Sequence, residues 1–322
     1  MSLSISVIIP VYNAEPFLRK AVESALQFKE VKEVILVEDK SPDNALLICE
    51  QLVSEDNRVQ LLQHPNNENL GAGESRNLGL KHAKQEYIAF LDADDIYLPN
   101  RFEKEKELFK NLDVDGVYNA IGVHYYSEEA KVKFCNTFNH PYNLSENFLT
   151  TVNREINPKE LFEALVRPKN SEGYFSLDGL TIRKSSLKKL KGGWFNDELR
   201  LHQDTEFIAR LSFYLDLYTG EITKATALRG VHESNRITNN IDEKERNLFL
   251  KHNAIGCWAK SEESMDNDIQ HYLINQKLYH ETFQNKGFKL ISTFIKNSFF
   301  SKGYVAKRKF KELLFPIYNK FR

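Results

Sequence analysis

Short apolar runs alternate with amphipathic stretches of helical period through the first hundred residues. Leu3 to Ile9 is a β-branched run closed by Pro10, and Val31 to Val37, Arg58 to Leu62 and Tyr87 to Leu91 repeat the pattern. Between them the period changes. In Pro16 to Phe28 the residues Phe17, Ala21, Ala25 and Phe28 share a helical face, Asp43 to Leu52 opens on a good N-cap residue, and Gly73 to Lys84 is again helical. Such alternation predicts parallel strands joined by right-handed crossovers, an α/β fold with a mostly parallel central sheet flanked by helices. Further along, the pattern predicts a helix over Asn100 to Leu112, a strand over Gly116 to Tyr126, a polar irregular insertion over Ser127 to Asn157 and a short helix over Pro158 to Val166. A strand over Tyr174 to Arg183, a helix over Asp204 to Tyr214 and a hairpin-like or extended region over Tyr218 to Val231 follow. From about Asp242, long helical patterns rich in Lys, Phe and Tyr run to Arg322. The expected organisation is one domain over 1–240, its halves meeting near 115, and a helical extension over 241–322.

Composition narrows the function classes. The chain has 322 residues, 41% hydrophobic and 28% charged, and its net charge of -1 carries no signature of nucleic-acid binding. Cys49, Cys135 and Cys257 are odd in number, widely spaced and without metal-ligand spacing, as expected of a reducing compartment. The apolar start lacks a basic leader and reads as a first strand, and no run approaches the roughly 18 apolar residues that span a bilayer.

The densest chemistry stands at Tyr87-Ile88-Ala89-Phe90-Leu91-Asp92-Ala93-Asp94-Asp95. On a strand that continued, Asp92 and Asp94 would point to one side and Asp95 to the other. Two carboxylates so placed repel each other unless a cation lies between them, and their oxygens suit a hard divalent ion, Mg2+ or Mn2+. The end of a parallel strand puts the pair at the carboxyl edge of the sheet, where open α/β folds bind ligands. An isolated Asp-x-Asp is more often a solvated turn or a helix cap, so its company decides.

That company is Val7-Ile8-Ile9-Pro10-Val11-Tyr12-Asn13 at the first strand end, Leu36-Val37-Glu38-Asp39-Lys40-Ser41-Pro42-Asp43 at the second, and Asn69-Leu70-Gly71 with Ser75-Arg76-Asn77 around the third helix start. Gly192-Gly193-Trp194-Phe195-Asn196-Asp197-Glu198 then precedes Gln203-Asp204-Thr205-Glu206-Phe207. In this order and spacing the motifs resemble a family 2 glycosyltransferase with the GT-A type of nucleotide-diphospho-sugar fold, over roughly residues 4 to 235. The resemblance implies an inverting, metal-dependent enzyme that moves a sugar from a nucleoside diphosphate donor, UDP-sugar foremost, to a hydroxyl of a glycan or lipid-linked glycan. It also implies a role in surface polysaccharide synthesis, in the cytoplasm or at the inner face of the membrane. By the same resemblance Pro10, Val11, Tyr12, Asn13 and Asp39 would line the nucleoside pocket. Arg76, Asp92 and Ala93 would complete the donor site, Asp94 would bind the metal with His232, and Asp204 would be the general base. Trp194 and Asp178 would touch the acceptor.

The sequence departs from the family pattern in two places. Gln203 stands where an acid usually precedes the base. Lys40 stands where a glycine would take positive φ without strain. Two rivals carry other expectations. A nucleotidyltransferase of the same sheet type would want a glycine-rich loop after the first strand, which Pro10-Val11-Tyr12-Asn13 does not supply. A non-catalytic nucleotide-sugar-binding or scaffolding protein would bind donor without turnover. At the far end, seven Lys or Arg against one acid between Lys302 and Arg322, interleaved with aromatic residues, suit peripheral contact with an anionic membrane. The other reading of 302–322 is a helix packed on the protein or across a homodimer.

Overall fold

The computed structural model describes residues 3–138, 149, 154–167, 175–233, 235, 241–284 and 287–309. Contacts group Met1–Arg236 into one unit and Ile237–Arg322 into another. In chain order the strands are β1 (Ile5–Val11), β2 (Val31–Glu38), β3 (Val59–Gln63), β4 (Tyr87–Phe90), β5 (Ile96–Tyr97), β6 (Gly116–Tyr118), β7 (Ile121–Tyr125), β8 (Leu180–Arg183), β9 (Leu217–Thr219) and β10 (Ala227–Val231). The helices are α1 (Leu18–Leu26), α2 (Ala45–Glu55), α3 (Ala72–His82), α4 (Glu103–Leu108), α5 (Glu128–Phe138), α6 (Pro158–Val166), α7 (Gln203–Tyr214), α8 (Ile241–Ser261), α9 (Asn267–Phe283) and α10 (Gly287–Phe300).

Seven strands form the main sheet in the order β3-β2-β1-β4-β8-β6-β9. The pairs β3/β2, β2/β1, β1/β4 and β6/β9 are parallel, and β8 runs antiparallel to both its neighbours. The β-branched runs are buried on both faces because helices cover both, as parallel strands require. Ile5, Val7, Ile9 and Val11 of β1 pack toward Leu18, Ala21, Val22 and Ala25 of α1 and toward Ala45, Cys49 and Leu52 of α2. Ile8, on the opposite side of the same strand, packs with Leu80 of α3 and with Phe207, Ile208 and Leu211 of α7. Strand order reverses between β1 and β4, so their carboxyl ends flank the crevice where such sheets take ligands.

A second sheet has the order β5-β10-β7. It corrects one expectation and narrows another. The run Gly116 to Tyr126 is not one strand: β6 belongs to the main sheet and β7 to the small one. The break falls at Asn119, a buried amide whose Nδ2 donates to Glu105 Oε1 at 2.9 Å and to Gly179 O at 3.0 Å, while its Oδ1 accepts Glu221 N at 2.8 Å. Satisfying those partners takes the residue out of the ladder. Tyr218 to Val231, read as hairpin-like or extended, is extended without a hairpin, since β9 pairs with β6 and β10 with β5 and β7.

Three other predicted elements shrink or change. The helix expected from Asn100 to Leu112 is only Glu103–Leu108, and the strand expected from Tyr174 is only Leu180–Arg183, entered through a 3-10 turn at Leu177–Gly179. The insertion expected to be irregular begins with helix α5, and most of its remainder lies outside the described residues. No helix among the described residues is long and apolar enough to cross a membrane.

Candidate active site

β4 ends at Phe90, and the acidic segment is a turn in which Asp95 N donates to Asp92 O at 3.0 Å. Strand alternation therefore does not govern the three carboxylates, which corrects the expectation that Asp92 and Asp94 form the pair. Asp92, Asp95 and Asp178 bring carboxylate oxygens within 4.8 Å of one another. Asp94 Oδ2 instead meets His232 Nε2 at 3.0 Å and Asn235 Nδ2 at 3.2 Å, beyond the end of β10. The oxygen-rich donor set, with three carboxylates crowded together, fits a hard divalent cation.

Asp178 was expected at the acceptor. It is 1% exposed and lies beneath the turn: Oδ1 accepts Asp92 N at 3.0 Å, and Oδ2 accepts Ser176 Oγ at 2.6 Å. Behind it, Arg101 donates through Nε to Asp178 O at 2.8 Å and through Nη1 to Glu105 Oε1 at 2.5 Å. Glu105 Oε1 also accepts Thr181 Oγ1 at 2.9 Å. A fully buried ion pair thus fixes the segment that fixes the turn. Asp95 Oδ1 accepts Gly230 N at 2.8 Å, which ties the turn to β10. A Cβ at Gly230 would lie 2.1 Å from the Asp94 carbonyl oxygen, so only glycine allows this approach. Burial first, and then the neighbouring carboxylates, push the Asp95 and Asp178 carboxyls above their ordinary range.

Two arginines face this cluster. Arg76, the fifth residue of α3, is 3% exposed and donates through Nη2 to Asp92 Oδ1, while its Nε and Nη1 have no hydrogen-bond partner among the described residues. Its guanidinium lies 5.6 Å from the centre of the Phe195 ring. Arg229 of β10 is exposed to solvent. Loss of solvation pulls its pKa down, but the carboxylates of Asp95, Asp178, Asp92 and Asp204 outweigh that and hold it raised.

The side of the crevice expected to take the nucleoside is built from the ends of β1 and β2. Pro10 is partly and Val11 fully buried, while Tyr12 is 40% exposed. Asn13 takes a left-handed φ of 52° and donates its N–H to Ser41 Oγ at 3.2 Å. Lys40, at the position where glycine was expected, does adopt positive φ (58°), at a cost of roughly 1 kcal/mol. Asp39 is 2% exposed, and both its oxygens are engaged: Oδ1 accepts Leu70 N at 2.7 Å and Oδ2 accepts Gly71 N at 2.8 Å. Its first role is to anchor the loop before α3. Gly71, at φ +89°, lies against the guanidinium of Arg200, which donates to Asn69 Oδ1 at 3.1 Å. Residues 200–204 are thereby brought to the loop that Asp39 holds.

Asp204 sits in the first turn of α7, entered from His202 at a left-handed φ of 63°. Its Oδ1 accepts Thr205 N at 2.7 Å, and Oδ2 makes no hydrogen bond among the described residues. Trp194 is partly buried and packs against the core cluster around Phe195 and Phe207. Ala93 is buried within the turn. A cavity of about 660 Å³ opens elsewhere, lined by Leu98, Val123, His124, Tyr125, Lys131 and Leu228 among others, and none of the expected site residues reaches it. Reading the sequence did not single out Arg229, Asn235 or Arg200. Asn235 follows His232 closely and was locally visible, but Arg229 and Arg200 carry no signal short of the folded chain.

Residues 6–187, more than half of the chain, match the family described as Glycosyl transferase family 2. The chain belongs to that family. Glycosyltransferase GlyG of Streptococcus pneumoniae serotype 4 is 39% identical over 135 residues, 42% of this chain and 43% of that protein. The minor teichoic acid biosynthesis protein GgaB of Bacillus subtilis is 37% identical over 114 residues, 32% of this chain and 12% of that one. The chain thus spans less than half the length of these family 2 relatives. Among solved structures, S. aureus TarS 1-349 in complex with UDP-GlcNAc superposes with a TM-score of 0.60 at 17% identity, covering 91% of this chain and 80% of that one. Those neighbours share the GT-A fold that the family 2 motifs imply.

Proposed function

We propose that this chain is an inverting glycosyltransferase that moves a sugar from a nucleoside diphosphate donor, UDP-sugar first, onto a hydroxyl of a glycan or lipid-linked glycan. The observation that carries the reading is the grouping of the Asp92, Asp95 and Asp178 carboxylates just past the end of β4, at the crevice between β1 and β4. The TarS complexes with UDP and UDP-GlcNAc support the donor class, and GgaB supports a place in surface polymer synthesis.

The donor's nucleoside lies along Pro10 to Asn13, beside the loop of Leu70 and Gly71 that Asp39 anchors. Arg76 holds the Asp92 carboxylate toward the crevice, and Asp178 fixes the Asp92 peptide from beneath. Asp92, grouped with Asp95 and Asp178, and Asp94, with His232 on it, are the residues that would hold Mn2+ or Mg2+, and a bound divalent ion would neutralise the departing diphosphate. Asp204 accepts the proton of the acceptor hydroxyl as its oxygen attacks the anomeric carbon on the face opposite the leaving group. Thr205 N holds one oxygen of that carboxylate and leaves the other for the acceptor.

The deciding experiment pairs a donor panel with Asp204→Asn. Transfer is expected to fall about 10²–10⁴-fold, as for loss of a general base, with donor-induced thermal stabilisation retained. Undiminished transfer by the variant would remove Asp204 from the reaction.

A further inference from the structure

The unit formed by α8, α9 and α10 carries an inverted helix. α10 faces α9 through Asn297, 1% exposed, whose Nδ2 donates to Leu278 O at 3.1 Å and to Thr282 Oγ1 at 3.0 Å. Its outward side holds Ile291, Ile295 and Phe299, which are 58%, 65% and 81% exposed and spaced four residues apart. Phe300 beside them is 66% exposed. A helix meant for water would bury the isoleucines and show the asparagine. Four of the nine exposed large hydrophobic residues among the described residues fall within these fourteen positions, which makes them a contiguous patch and not scatter.

Charge says what covers it. Lys289 and Lys296 are exposed beside the stripe. From Thr282 to Lys311 the sequence has eight Lys or Arg and no Asp or Glu, in a chain of net charge -1. The basic residues further on are not all available. Val305 is buried, Arg308 lies over the Tyr279 ring at 4.0 Å, and Lys309 lies over Phe283 at 4.7 Å. The described part of 302–322 therefore packs on α9, and residues 310–322 lie outside the described residues.

We propose that the outer face of α10 docks on an anionic lipid surface, with Ile291, Ile295, Phe299 and Phe300 entering the acyl boundary and Lys289 and Lys296 meeting the headgroups. At fourteen residues, about 21 Å, the helix is too short to span a bilayer and suits a position in the interface plane. A second copy of the chain is a poorer occupant, because it would face one lysine-flanked stripe with another. The proposal is independent of the donor and the reaction.

The test is co-sedimentation of the full chain with vesicles of phosphatidylcholine alone or mixed with phosphatidylglycerol. Binding is expected to the mixed vesicles only, and to weaken with salt. The double variant Ile295→Glu, Phe299→Glu is expected to abolish it without changing the melting temperature. Lys289→Gln with Lys296→Gln, which spares the apolar face, is expected to weaken it about 25-fold, at roughly a fivefold loss per lysine. Equal binding to both vesicle types, no binding to either, or indifference to both double variants overturns the proposal. So does a lipid-free dimer that Ile295→Glu, Phe299→Glu converts to monomer, which would assign the face to a second copy.

Discussion

Asn77 grips the peptide of Phe195 from both sides, donating from Nδ2 to Phe195 O at 2.9 Å and accepting Phe195 N at Oδ1, also at 2.9 Å. The two residues are 118 positions apart, and the contact docks the segment leading to Asp204 onto the helix that carries Arg76. Asn77→Ala is expected to lower stability by about 1–3 kcal/mol, the cost of leaving a buried peptide unpaired, and to lower kcat more than donor affinity. Urea melts and steady-state kinetics check both, and a variant with unaltered kcat would uncouple the contact from catalysis.

Asp178 gives a prediction with a defined sign. Its carboxyl and that of Asp95 are raised by burial and then by like charge, so the folded protein keeps protons that the unfolded chain releases above pH about 4. In the absence of metal, stability should fall as pH rises from there toward the folded-state pKa values. Asp178→Asn keeps an acceptor for Asp92 N and removes one titrating group. It should melt higher than the parent at pH 7 without metal and show a flatter decline with pH. A lower melting temperature at pH 7 would mean that Asp178 is favourably ionised.

Gly230→Ala tests the link between β10 and the acidic turn. A methyl group there meets the Asp94 carbonyl oxygen at 2.1 Å and must displace backbone. The expected cost is about 1–3 kcal/mol in stability, typical of overpacking. A larger effect is expected on metal- and donor-dependent thermal shifts. Unchanged shifts would show that the turn tolerates the displacement.

Removal of divalent metal with a chelator is expected to suppress transfer, and readdition of Mn2+ to restore it. His232→Ala should raise the Mn2+ concentration needed for half-maximal activity, because Asp94 loses the imidazole held at 3.0 Å. Activity indifferent to chelator would assign leaving-group stabilisation to Arg229 and its neighbours instead.

The first four strands were legible because each is a short, largely apolar run bounded by polar residues, and covering helices demand no more of the sequence than that. Asp204 at the start of α7 was legible for the same local reason. Asn119 was not, since its three partners lie at Glu105, Gly179 and Glu221, and nothing in Tyr118-Asn119-Ala120 announces them. The grouping of Asp92 with Asp95 and Asp178 was misread because strand alternation was extended one turn too far, past Phe90. Asp39 was seen as a strand-end acid, but its engagement by Leu70 and Gly71 depends on a loop thirty residues away.

The passage of the backbone from one sheet to the other at Asn119 and Ala120 bears on engineering. β6 is laced into the main sheet, while β7 starts at Ile121, directly after Ala120, and pairs along its whole length with β10, which leads to His232. A chimaera with a relative of different acceptor preference, joined anywhere in this short stretch, would have to import the partners of Asn119 together with the graft. Splices placed instead in the exposed turn at Thr223 and Lys224 would cut between β9 and β10 without severing that joint.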